Sequence, residues 1–115
     1  MEKMEKRIRA LERQIEKIKH KLLRLGDLRP GSLSEQYNVC GNPNCRCKGD
    51  PPRKHGPYYQ LSLTRKGRSR TKFVKRPQVS DVKRQLKNYA RLRTLVDQWI
   101  ELSSELCQLR LDKKE

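Results

Sequence analysis

The chain has 115 residues, of which 33% are apolar and 37% charged. That apolar supply is thin for one domain, so a small or elongated core is expected, helped by a metal, a partner or an oligomer. Twenty-nine Lys plus Arg against 13 Asp plus Glu give a formal charge of +16, which favours a polyanionic partner, DNA or RNA ahead of an anionic membrane.

A heavily charged soluble protein from a hot or salt-poor setting is the plainer alternative. No secretory signal and no run near the ~20 apolar residues of a membrane span is visible. A cytoplasmic, reduced protein without a membrane partner is therefore expected.

Residues 1–26 read as one helix. Met1, Met4, Ile8, Leu11, Ile15, Ile18, Leu22 and Leu25 are spaced alternately three and four apart, the seam of a coiled coil. Gly26 stops it. The stripe is narrow and needs another helix against it. The charged faces mix signs, with Glu2 and Lys6, or Glu5 and Arg9, one turn apart. Residues 27–57 form a linker and a cysteine loop. Pro30 and Gly31 mark a turn, and Ser32 with Glu35 has capping-box spacing, which predicts a short helix there.

Residues 58–76 carry a β-hairpin. Tyr59, Leu61 and Leu63 alternate in the first strand, and Thr71 and Phe73 alternate in the second against Arg70 and Lys72. The turn is Arg65–Arg68, with Gly67 at the bend. Residues 77–115 form a second long helix, from about Asp81 behind a Ser80 cap to Leu111, with a frayed tail. Leu92, Leu95, Trp99, Leu102, Leu106 and Leu109 repeat the three-four spacing. Val82, Leu86, Tyr89, Val96, Ile100 and Cys107 broaden the stripe, and Cys107 is read as a small core hydrophobe.

The expected fold is mostly α with a small β-hairpin. The two long helices form an antiparallel coiled-coil stalk with the cysteine loop and hairpin as its head. Use of the seams for a homodimer or a partner protein is the rival arrangement.

The loop raises the chemical question. Between Val39 and Tyr59 the chain reads VCGNPNCRCKGDPPRKHGPYY, too polar to order itself by burial. Cys40, Cys45 and Cys47 follow C-x4-C-x-C, and His55 comes eight residues later. Thiolates and imidazole are good Zn2+ ligands, and a tetrahedral set of three cysteines and one histidine is a known structural site. Metal binding supplies free energy on the order of 10 kcal/mol where a core cannot. Free surface thiols, or a redox or disulfide role, are the other readings. Asp50, a water or a second chain can replace His55 as fourth ligand. His20 is read as solvated.

In order and spacing, RPGSLSEQY, CGNPNCRC, HGPYYQLS, the basic hairpin and NYARLRTLVDQWIELSSEL resemble a family of short uncharacterised bacterial and archaeal proteins. Its members read R-x-G-S-L, C-G-x-x-x-C-x-C, H-G-P-Y-Y and N-Y-R-R-L-R, across about Arg29–Arg110 here. The resemblance implies a domain of unknown function, a zinc-binding core at Cys40, Cys45, Cys47 and His55, and a neighbourhood of transposases or other mobile-element genes. It implies no activity. DPPRK, before His55, departs from the shorter or glycine-rich stretch of relatives.

Pro51–Ser80 contains no acidic residue. Arg53, Lys54, Arg65, Lys66, Arg68, Arg70, Lys72, Lys75 and Arg76 lie there, and Lys83 and Arg84 open a second cluster with Lys87, Arg91 and Arg93. A positive hairpin beside a metal-held loop suits phosphates, giving steep salt dependence and little base reading. Tyr58 and Tyr59 can stack on bases if exposed, although Tyr59 is expected to pack the hairpin. A basic zinc-binding, nucleic-acid-binding accessory protein is the leading expectation, with a protein–protein adaptor as the alternative. No enzyme is expected: only Asp50 and Glu35 offer carboxylates near the loop, and no paired-carboxylate or Ser–His–Asp set is evident.

Overall fold

The structure, a computed structural model, describes residues 2–114; Met1 of the expected seam lies outside them. The elements in order are helix α1 (Glu2–Leu23), strands β1 (Ser32–Asn38), β2 (His55–Arg65) and β3 (Arg68–Val74), and helix α2 (Val79–Lys113). One-turn 3-10 helices at Arg46–Lys48 and Arg76–Gln78 interrupt the connections. Contacts divide the chain into two compact units. One holds the residues up to Leu28 and from Lys87 on; the other holds Arg29–Leu86.

In the helical unit the three-four spacing does what amphipathicity dictates. Ile8, Leu11 and Ile15 of α1 bury against Leu106 of α2, with Met4, Trp99, Leu102 and Leu109 packed around them. Leu11 is 0% exposed. The pairing is antiparallel, because partners descend in α2 as they ascend in α1. Glu5 meets Lys113 at 3.4 Å, Glu12 meets Arg110 at 3.4 Å, and the Lys19 ammonium lies 5.5 Å from the Trp99 ring centre. The Asn88 amide donates to the Asp27 carbonyl at 2.8 Å. Glu5 thus reaches the other helix rather than Arg9 one turn along. Arg7 donates to Glu105 at 2.8 Å. That bond holds the Glu105 carboxyl below its usual range and raises the Arg7 guanidinium.

Two expectations for the helices are corrected. Cys107 is exposed, not core: the buried line of α2 runs through Leu95 and Leu106, and position 107 is about 100° further round the helix than 106. The tail expected to fray is helical through Lys113.

In the sheet unit the expected hairpin gains a third strand. The order is β1-β2-β3, antiparallel throughout. Ser32–Asn38 is therefore strand and not the predicted short helix. The capping-box spacing is real, but a local signal of that size yields to tertiary pairing. Leu33 sits opposite Leu61 and Glu35 opposite Tyr59. Two glycines make the pairing feasible. A Cβ at Gly31 (φ 127°) would meet the Ser62 carbonyl oxygen at 2.8 Å, and one at Gly56 (φ 141°) would meet that of Gln36 at 2.7 Å. Only glycine tolerates both the dihedral and the approach. β2 and β3 join through Lys66 (φ 53°) and Gly67 (φ 74°), a two-residue turn with both φ positive that matches strand twist.

Strand alternation gives the sheet two unlike faces. One carries Leu33, Tyr59, Leu61, Leu63 and Val74, with Arg65, Arg68, Arg70 and Lys72 filling its hairpin end. Leu61 is buried there, as are Val79 and Val82 at the start of α2. The other face carries Ser34, Gln36, Tyr58, Gln60, Ser62, Thr64, Ser69, Thr71 and Phe73, without a charge among them.

Candidate metal centre and basic hairpin

The metal candidate is built by the β1–β2 ladder. Its register shifts between Gln36 and Asn38, and Asn38 then lies opposite His55. The strands thereby close the base of the loop and set His55 beside the chain leading into Cys40. Inside the loop the backbone turns tightly. Cys45 N donates to Asn42 O at 3.2 Å, Lys48 N to Cys45 O at 3.0 Å, and Arg53 N to Arg46 O at 3.1 Å. The Asn42 side chain accepts from Asn44 N at 3.0 Å. Cys47 lies in the 3-10 turn and is 1% exposed, unusual in a segment so poor in apolar residues.

Cys40, Cys45, Cys47 and His55 present donor atoms that all lie within 4.8 Å of one another, close enough to hold a metal ion. Bonds of about 2.3 Å to sulfur and 2.0–2.1 Å to nitrogen give tetrahedral S···S edges of ~3.8 Å and S···N edges of ~3.6 Å. Cys40 Sγ and Cys47 Sγ are 3.6 Å apart, near such an edge. Cys45 Sγ and His55 Nε2 are 3.1 Å apart, a hydrogen-bond distance. Cys40 N also donates to Cys47 Sγ at 3.3 Å. The donor types suit such an ion and the donor atoms lie close enough to hold one, with the Cys45–His55 pair closer than a tetrahedral edge.

The electrostatics favour ligand-ready sulfur at Cys45. Its pKa is lowered to about 6, first by a hydrogen bond from the Cys47 backbone and then by those with Cys40, Cys47 and His55, against a cost of burial. Cys40 is raised: the Asn42 backbone pulls it down, but hydrogen bonds with Cys45 and Cys47 and lost hydration push it up by more. One thiol is thus ionised near neutrality while a neighbour keeps its proton, the arrangement adjacent thiols adopt to avoid two close negative charges.

The basic residues do not form one patch. Arg65, Lys66, Arg68 and Arg70 line an open depression of about 490 Å³ with Leu63. Lys72 lies further along the same face, in a recess with Arg29 and Asp81. Lys75 and Arg76 border a groove on Tyr58 and Phe73. Arg53 and Lys54 are exposed in the loop, and Lys83 is exposed on α2. Among the described residues, Arg84 of this set pairs with a carboxylate, Asp81, at 2.6 Å. Tyr59 is half-buried and its hydroxyl donates to Glu35 at 3.4 Å, whereas Tyr58 is exposed. The 72% exposure of Phe73 escaped the sequence reading, although its alternation with Thr71 was there to signal it.

No helix among the described residues is long and apolar enough to cross a membrane. Neither the curated proteins nor the solved structures include a match to the chain. The family described as domain of unknown function (DUF6788) matches residues 1–84, from α1 through the cysteine loop and the whole sheet into the start of α2. With most of its length inside that match, the chain belongs to the DUF6788 family.

Proposed function

We propose that the protein is a small zinc-binding, nucleic-acid-binding accessory protein, in which Zn2+ held by Cys40, Cys45, Cys47 and His55 fixes the loop and the hairpin grips phosphates. Zinc is favoured by the donor set, since three thiolates and an imidazole in a closed tetrahedral site suit it better than oxygen-seeking ions. Four protein ligands leave no open position, which supports a structural rather than a catalytic ion.

One observation carries the nucleic-acid reading. Arg65, Arg68 and Arg70 line a single open depression with Lys66, inside a stretch without an acidic residue. Arginine forks suit phosphate oxygens, and contacts of this kind position a backbone without reading its sequence. The test is an anisotropy titration of metal-loaded protein against DNA and RNA at several salt concentrations. Affinity is expected to fall steeply with salt, each phosphate contact adding about 0.9 to the log–log slope on duplex DNA. Arg68→Glu with Arg70→Glu is expected to abolish binding; unchanged binding in that variant removes the reading.

A second reading has its own support. Ile100 is 57% and Leu111 61% exposed, and both share a heptad-spaced line on α2 with the exposed Cys107. Such a line suits an adaptor or a homodimer using the helical, coiled-coil face. Light scattering tests it, and a strict monomer counts against it.

A further inference from the structure

The uncharged face of the sheet offers chemistry that the arginine depression lacks. Tyr58 is 45% exposed and Phe73 72% exposed. Their strand positions are fixed by the pairs Tyr59↔Val74 and Gln60↔Phe73, so the two rings stand on the same face as diagonal neighbours, about 7–8 Å apart at Cα. Both line one open groove of about 270 Å³ whose border is Lys75 and Arg76. Gln60 stands beside Phe73. Its Oε1 accepts from Gln36 Nε2 at 2.6 Å, which orients its remaining amide N–H groups away from that bond. Ser62, Thr64, Ser69 and Thr71 continue the face, and Thr64 and Ser69 hydroxyls are bonded at 2.9 Å.

Large rings on an exposed sheet face cost hydration, and nothing in the described core uses Phe73. Flat rings, free amide donors and a border of two cations fit one class of ligand, unpaired nucleobases joined by a phosphate backbone; Asp81, which shares a separate recess with Phe73, is paired with Arg84 at 2.6 Å. Bases in a duplex are stacked on one another and present no face to a ring. Single strands offer every face, and stacking on aromatic side chains is tolerant of sequence.

We infer that this sheet face is a stacking platform for single-stranded nucleic acid, with bases on Tyr58 and Phe73 and the strand's phosphates on Lys75 and Arg76. The inference rests on the nucleic-acid reading above and deepens it: the arginine depression holds phosphates of any nucleic acid, and the platform selects unpaired strands.

The experiment compares oligo(dT), oligo(U) and a blunt DNA duplex of equal length by anisotropy. Wild-type protein is expected to prefer the single strands. Tyr58→Ala and Phe73→Ala are each expected to weaken single-strand binding about ten- to a hundredfold, with duplex binding unchanged within about twofold. Phe73→Tyr is expected to restore it. Because Phe73 is so exposed, Phe73→Ala is expected to keep wild-type circular dichroism. Phe73→Trp gives a second readout, quenching of the introduced indole by oligo(dT) but not by the duplex. The two single strands then tell DNA from RNA. Wild-type binding of duplex alone, equal loss of duplex and single strand in the alanine variants, or no quenching overturns the inference while leaving the nucleic-acid reading intact. Absence of all binding by wild-type protein removes both.

Discussion

The two units reach order by different physics. The helical unit has a seam of apolar side chains with Leu11 at its centre, and its ion pairs decorate that seam. The sheet unit has few buried apolar groups, among them Cys47, Leu61, Val79 and Val82. It is organised by backbone ladders and by four converging donor atoms. Burial stabilises the first in any buffer. On the proposed reading the second depends on the ion its donors hold, so the same chain should have one part indifferent to chelators and one part that is not.

The largest expected effect comes from removing the ion. Chelation of metal-loaded protein, or Cys47→Ser, removes binding free energy on the order of 10 kcal/mol. Protease protection across residues 40–55 should vanish while helical circular dichroism persists. Concerted loss of both would break the distinction between the units. Leu11→Ala is the mirror experiment. It should cost about 2–5 kcal/mol in denaturant titration and leave the metal content unchanged.

Gly56→Ala sharpens the contrast within the sheet unit. A Cβ there meets the Gln36 carbonyl oxygen and imposes a strained φ, costing about 1–3 kcal/mol. It should also weaken metal affinity, read by competition with a chromophoric chelator, because His55 is the adjacent residue. Acidification should act on the same readout. Ligand thiols must be ionised, and the lowered Cys45 titrates at about 6. Cys40, whose thiol is raised, must give up its proton to a metal already at neutral pH, and Cys45 joins it as pH falls through about 6, so affinity should fall with acidification throughout and more steeply below about 6. The smallest effect is Glu105→Gln. Its carboxyl is lowered by Arg7 but the pair is solvent-exposed, so the melting midpoint should move little, and less still in high salt.

Patterns that are long or chemically specific are legible in the sequence. The three-four spacing placed α1 and α2 because a helical seam repeats over many residues. The hairpin was legible from Gly67 and strict alternation. The ligand candidates stood out because thiols and an imidazole crowded into a polar loop have few other uses. What escaped was non-local. β1 reads SLSEQYN, with one apolar aliphatic residue and a capping-box coincidence. Its identity comes from β2, through Leu33 opposite Leu61 and the two glycines that permit the approach. Cys107 failed for the opposite reason: with apolar residues on so much of α2, sequence alone does not say which line faces α1.

The register that sets Asn38 opposite His55 has an evolutionary corollary. With both rims of the cysteine loop anchored in a ladder, and Gly49 N and Arg53 N both bonded back to Arg46 O, the Asp50–Pro52 excursion is exposed to solvent. An insertion or deletion there is expected to leave every donor in place, whereas one between Cys40 and Cys47 is expected to displace them.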